Sequence, residues 1–109
     1  MRGLALLSLA IAFEVAATLS LKASAEASRS WTAALPAFAG YAVAFVCLAR
    51  SLETLPVGIA YAIWSGVGTA GVALLAMWIF GETPPPVAWL GVALVVVGVT
   101  VLCASLPSH

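Results

Sequence analysis

The chain has 109 residues, of which 64% are hydrophobic and 7% charged. A soluble domain is about 25% charged, so too little polar surface exists here to coat a water-soluble fold, and the composition dictates an integral membrane protein. Four basic and four acidic residues give zero net charge, which leaves no basic patch to hold a nucleic acid.

Charges and turn residues divide the chain. Arg2 precedes the first apolar run, which closes at Lys22, and Glu26 and Arg29 lie in a short Ser/Ala-rich connection. An uncharged run ends at Arg50, and Glu53, Pro56 and Gly58 mark the next connection. Three prolines, Pro84 to Pro86, cannot continue a helix and place a turn after Gly81. A bilayer core about 30 Å thick needs roughly 20 helical residues. The runs that meet this are about 4–21, 33–49, 57–80 and 87–106. Open sheet edges cannot face lipid, and the pattern is not that of a barrel. The expected fold is an all-α membrane protein, a single four-helix transmembrane domain over residues 1–109 running up-down-up-down.

Helix 1 carries Glu14 within the stretch 3–21, which holds no other charge. An ionisable residue at that depth costs about 2.5–3.5 kcal/mol on insertion scales and marks a site for ions, protons or a charged substrate. Leu7, Ala10, Ile11, Ala17, Thr18 and Leu21 share its face. The small members let another helix approach or leave room for a ligand, and Thr18 adds a hydroxyl one turn away. A structural carboxyl bonded to a neighbouring helix is the plainer reading, but no lysine or arginine is expected at the same depth to pair with it. Arg2, the apolar run and Ala23-Ser24-Ala25 also have the outline of a cleavable signal peptide. Glu14 in the run, and the run's length, argue against cleavage. Lys22 is expected to anchor the helix end by snorkelling.

Helix 2 offers Tyr41, Phe45 and Leu48 at i, i+4 and i+7, a stripe equally suited to packing and to substrate contact. Helix 3 contains Tyr61, Trp64, Ser65 and Gly68 on adjacent turns. Two aromatics there can stack on a cationic or apolar ligand; a membrane-interface belt is the alternative, better suited to Tyr61 near the helix start than to Trp64. Gly66-x-Gly68-x-x-Gly71 spells a dinucleotide fingerprint, but no strand precedes it. Its glycines suggest close packing or a bend, with Gly66 and Gly68 as hinge or packing positions. Helix 4 has Gly91 and Gly98 seven apart with Leu94 between them, a seam for packing between subunits or within one. Trp31, Trp78 and Trp89 lie near helix ends as interface anchors. Cys47 and Cys103 sit in apolar runs; with no Cys/His cluster they point neither to a metal site nor to a disulfide framework and read as small buried hydrophobes. No cofactor is called for.

Arg2 and Arg50 lie on one side of the membrane with the C-terminus, Lys22 and Arg29 on the other, two against two. The positive-inside rule then sets no orientation. Either the small count is uninformative, or the chain inserts both ways and an inverted pair is the working unit, a form of the inverted repeat common in transporters.

Several strings together resemble the small multidrug resistance family over nearly the whole chain. They are Ala12-Phe13-Glu14-Val15 with Thr18 and Lys22, the stretch from Pro56 through Tyr61, Trp64 and Ser65 to Gly68, and Gly91, Leu94, Val95, Gly98 and Val99. The resemblance implies a proton-coupled exporter working as an antiparallel dual-topology homodimer in the bacterial inner membrane. It implies that Glu14 binds protons and cationic substrate alternately, that Tyr61 and Trp64 line the site with Tyr41 and Phe45 nearby, and that helix 4 makes the dimer contact. Ala17 and Ser65 stand where the guanidinium-exporting branch carries tryptophan and threonine, which favours the multidrug, quaternary-ammonium branch. Leu4 stands where that branch often has a tyrosine. The rival expectations are a guanidinium or polyamine exporter on the same scaffold and a non-transporting membrane subunit. No enzymatic activity is expected.

Overall fold

The computed structural model describes residues 2–27 and 32–106, all of its regular structure helical. Trp31 and Arg29 lie outside the described residues. The chain divides into two compact units, Met1–Leu55 and Pro56–His109.

In the first unit, α1 (Arg2–Ala27) and α2 (Leu35–Ser51) pack as an antiparallel pair, with a 3₁₀ turn, Thr32–Ala34, ahead of α2. The register follows from two close approaches. A Cβ on Gly3 would meet Thr54 and lie 2.8 Å from Leu55 Cγ, and a Cβ on Gly40 would lie 3.1 Å from Ala17 Cβ. Glycine lets side chains of the turn close onto α1 at residue 3 and lets the two helix backbones approach at residue 40. Helix α1 runs on to Ala27, past the expected end near residue 21. Alanines at 23, 25 and 27 favour helix, and Lys22 Nζ lies 3.9 Å from Glu26 Oε2 one turn on. Both side chains are exposed, so the pair adds little stability. Glu26 is thus a helical residue and not a loop residue.

Helix α2 has 17 residues, beginning two later than expected. Pro36 sits in its first turn, where the missing N–H costs nothing. By length, α1, α3 and α4 suffice to cross a membrane, and α2 is a shorter apolar helix. At about 1.5 Å per residue, with about 2 Å per residue in the 3₁₀ turn, α2 and its leading turn span about 31 Å, which matches the hydrocarbon core.

In the second unit, α3 (Val57–Phe80) and α4 (Pro86–Ser105) are joined by a short turn. Gly81 caps α3 at φ 69°, left-handed backbone that a glycine takes without strain. The prolines that follow stop the helix, and Pro86 opens the next one. Trp78 and Trp89 flank this turn, both exposed, as interface anchors would. The two helices meet where a Cβ on Gly66 would lie 2.6 Å from Val99 Cγ2 and 3.4 Å from Val95 Cγ1. Gly66 is therefore a packing position in a continuous helix. Cys47 is half-buried and Cys103 exposed, both as free thiols; the expectation of a buried Cys103 does not hold, because α4 has no buried residue.

Candidate functional site

A hydroxyl inside a membrane helix has a cheap partner, the carbonyl a turn before it. Ser8, Ser51, Ser65, Thr100 and Ser105 all donate to a carbonyl three or four residues earlier. Thr18 differs. Its Oγ1 donates to Glu14 Oε1 at 3.2 Å and lies 2.6 Å from the Tyr41 hydroxyl of α2. Thr18 has one hydrogen, so when it donates to Glu14 the Tyr41 hydroxyl donates to Thr18. The result is a chain across the helix pair, Tyr41 to Thr18 to Glu14.

The backbone explains why these groups meet. Gly40 precedes Tyr41, and Ala17 precedes Thr18; the close approach at Gly40 and Ala17 brings the next residue of each helix within reach. Leu7, Ala10 and Ala17, expected on the Glu14 face, are all buried. Glu14 is half-buried, and its second oxygen, Oε2, is shielded from solvent without a hydrogen-bond partner. One oxygen of the carboxyl is thus held by a hydrogen bond and the other is not.

Gly40 escaped the sequence reading, as did the bond from Tyr41. The signal was a glycine immediately before the one phenol of an apolar helix. Phe45, a turn beyond Tyr41, is exposed and takes no part in the hydrogen-bond chain.

The other candidates belong to the second unit. Tyr61 and Trp64 stack obliquely on one another, with centroids 5.7 Å apart and planes at 58°. Tyr61 is 58% exposed, so its ring remains open to a partner. Ser65 follows Trp64 on the same helix. Its Oγ donates to Tyr61 O at 2.9 Å, and it lines a shallow groove of about 340 Å³ with Gly66 and Thr69 of α3 and Val95, Gly98 and Val99 of α4. Gly68 is buried. On α4, a Cβ at Gly91 or Gly98 would meet nothing within 4 Å, and Leu94 is 64% exposed. Among the described residues of the second unit, none fills the space above these glycines. Val87, Leu90, Leu94, Val97 and Val101, spaced alternately three and four apart, form an exposed stripe.

Comparison with known proteins adds the following. Residues 2–95 match the family model described as Small Multidrug Resistance protein. A multidrug transporter of Pseudomonas aeruginosa is 47% identical over 96 residues, which is 88% of this chain and 86% of that protein. The quaternary ammonium compound-resistance protein QacE of Escherichia coli is 37% identical over 102 residues, 94% of this chain and 92% of its own. The nicotine metabolites export pump subunit NepA of Paenarthrobacter nicotinovorans is 43% identical over 97 residues, with 89% and 83% covered.

Proposed function

The chain belongs to the small multidrug resistance family, and from that premise we propose that it exports hydrophobic cations, such as quaternary ammonium ions, in exchange for protons bound at Glu14. It is a multi-pass membrane transporter and not an enzyme. The observation that carries the exchange is the half-held carboxyl, with Oε1 fixed by Thr18 and Oε2 shielded and unpartnered.

A bare carboxylate in the membrane is costly. A proton relieves the cost, and so does an organic cation. With one carboxyl, the first to arrive removes the attraction for the second. This competition couples the two fluxes: a proton entering from outside releases drug outward, and a cation entering from inside releases protons inward. The exposed ring of Tyr61, with Trp64 beside it, is a surface suited to a hydrophobic cation.

The working unit is an antiparallel homodimer in the bacterial inner membrane, with one Glu14 from each copy at a shared site. The open space above the α4 glycines and the balanced loop charges support this. The names of relatives favour multidrug over guanidinium export. NepA is named as a pump subunit, which gives a second reading, a heteromeric pump.

Proteoliposomes containing only this protein decide between these readings. Adding a lipophilic quaternary ammonium ion should release protons from wild type and not from Glu14→Gln. Equal signals from both would sink the mechanism, and silence from both would favour the heteromer or the non-transporting subunit. Growth under guanidinium against growth under a quaternary ammonium toxicant identifies the branch.

A further inference from the structure

At the end of the first unit remote from Lys22, the start of α1 meets the turn that follows α2. Gly3 permits the contact, since any side chain there would collide with Thr54 and Leu55. The turn is firmly built. The amides of Leu52, Glu53, Thr54 and Leu55 donate to carbonyls of Leu48 to Ser51 at 3.1 to 3.2 Å, and the buried Ser51 returns its hydroxyl to Leu48 O at 2.6 Å. This junction leaves a cleft of about 500 Å³ lined by Arg2, Leu6, Leu9, Arg50, Glu53 and Thr54.

Among the described residues, none of the three charges in the cleft is ion-paired with another. The exchange mechanism uses none of them. Two guanidinium forks are matched to a phosphate, whereas Glu53 repels a bare one. A group that satisfies all three charges carries a phosphate and, a few bonds away, an ammonium. The apolar wall narrows the choice further. Leu9 is seven residues below Arg2, about 10 Å deeper along the helix, and it is 46% exposed. A ligand that touches both the arginines and Leu9 spans from the headgroup level into hydrocarbon.

We propose that this cleft binds an aminophospholipid, its phosphate between Arg2 and Arg50, its ammonium on Glu53 and an acyl chain along Leu6 and Leu9. The lipid then staples the first helix to the turn after the second. Glu53 selects: it favours a phosphoethanolamine headgroup over phosphoglycerol, which has the phosphate and no cation.

Native mass spectrometry of the delipidated protein in detergent tests this, with phosphatidylethanolamine, phosphatidylglycerol and soluble phosphoethanolamine offered separately at equal concentration. Wild type should retain phosphatidylethanolamine about tenfold better than phosphatidylglycerol, the size of one charge-assisted hydrogen bond. Arg50→Gln should lose about tenfold, and Arg50→Lys, which keeps the charge but not the fork, about threefold. Glu53→Gln should abolish the preference and keep phosphatidylglycerol. Arg50→Lys and Glu53→Gln decide the matter should Arg50→Gln misfold. Equal retention of both lipids by wild type, or no loss in the Arg50 variants, would overturn the proposal and leave solvated, snorkelling arginines. Soluble phosphoethanolamine binding as well as the lipid would overturn it in favour of a free phosphate ligand.

Discussion

Thr18 is the only one of six hydroxyl residues described above that gives up its own helix carbonyl for side-chain partners. Each side-chain hydrogen bond of this kind in a membrane protein is worth about 1 kcal/mol. Thr18→Val breaks two of them without changing shape, and Tyr41→Phe breaks one. Thermal unfolding in detergent should therefore show Thr18→Val losing about 2 kcal/mol and Tyr41→Phe about half that. The double variant should be no less stable than Thr18→Val, because the Tyr41 bond is made to Thr18. Strict additivity would show that the hydroxyls do not form a chain. In transport, both single variants should keep cation binding, since they alter what holds Oε1 and leave the carboxyl in place.

Among the helices, contact geometry is set by glycines more than by large side chains. A methyl at residue 66 would overlap Val99, and overpacking of that kind costs about 1–3 kcal/mol. Gly66→Ala should lower the melting temperature, and Val99→Ala introduced beside it should restore most of the loss; a double variant as unstable as the single would mean that Gly66 matters for bending and not for space. The positions of the four helices were legible in the sequence because lipid demands long apolar runs and prolines and charges end them. The end of α1 was not, since Glu26 reads as a loop residue by charge yet lies on a stretch that alanine keeps helical. The faces were harder still. In helices apolar nearly all round, hydrophobic periodicity does not tell which side meets a neighbour, so Gly40 went unnoticed and Tyr41 stayed undecided between packing and function. Glu14 and Thr18 were readable because polarity in such a helix is rare. The Ser65 hydroxyl donates its hydrogen to Tyr61 O within α3 and keeps its oxygen as an acceptor.

For the molecule as a whole, the unresolved orientation signal becomes an experiment. Two basic residues on either side set no orientation, and the proposed antiparallel dimer calls for insertion in both senses. A tag on the C-terminus should be reachable from both faces of the membrane in roughly equal amounts. Adding one lysine beside Arg50 should drive the population to a single orientation and remove resistance to quaternary ammonium compounds, with an oppositely biased copy restoring it. Full activity from a singly oriented population would refute the antiparallel dimer. The proposed inverted partner would lie against α4, where Gly91 and Gly98 have open space above them and Leu94 is exposed.

The chain from Tyr41 to Glu14 has a direction, and the direction has a cost. Both hydroxyl hydrogens run toward Oε1. A proton on Oε1 that donated back to Thr18 would turn the Thr18 hydrogen onto the Tyr41 oxygen and the Tyr41 hydrogen away from Thr18. A proton arriving on Oε2 disturbs neither. On the proposed exchange, this directs the proton to Oε2, and two hydroxyl rotors that never touch it make the choice.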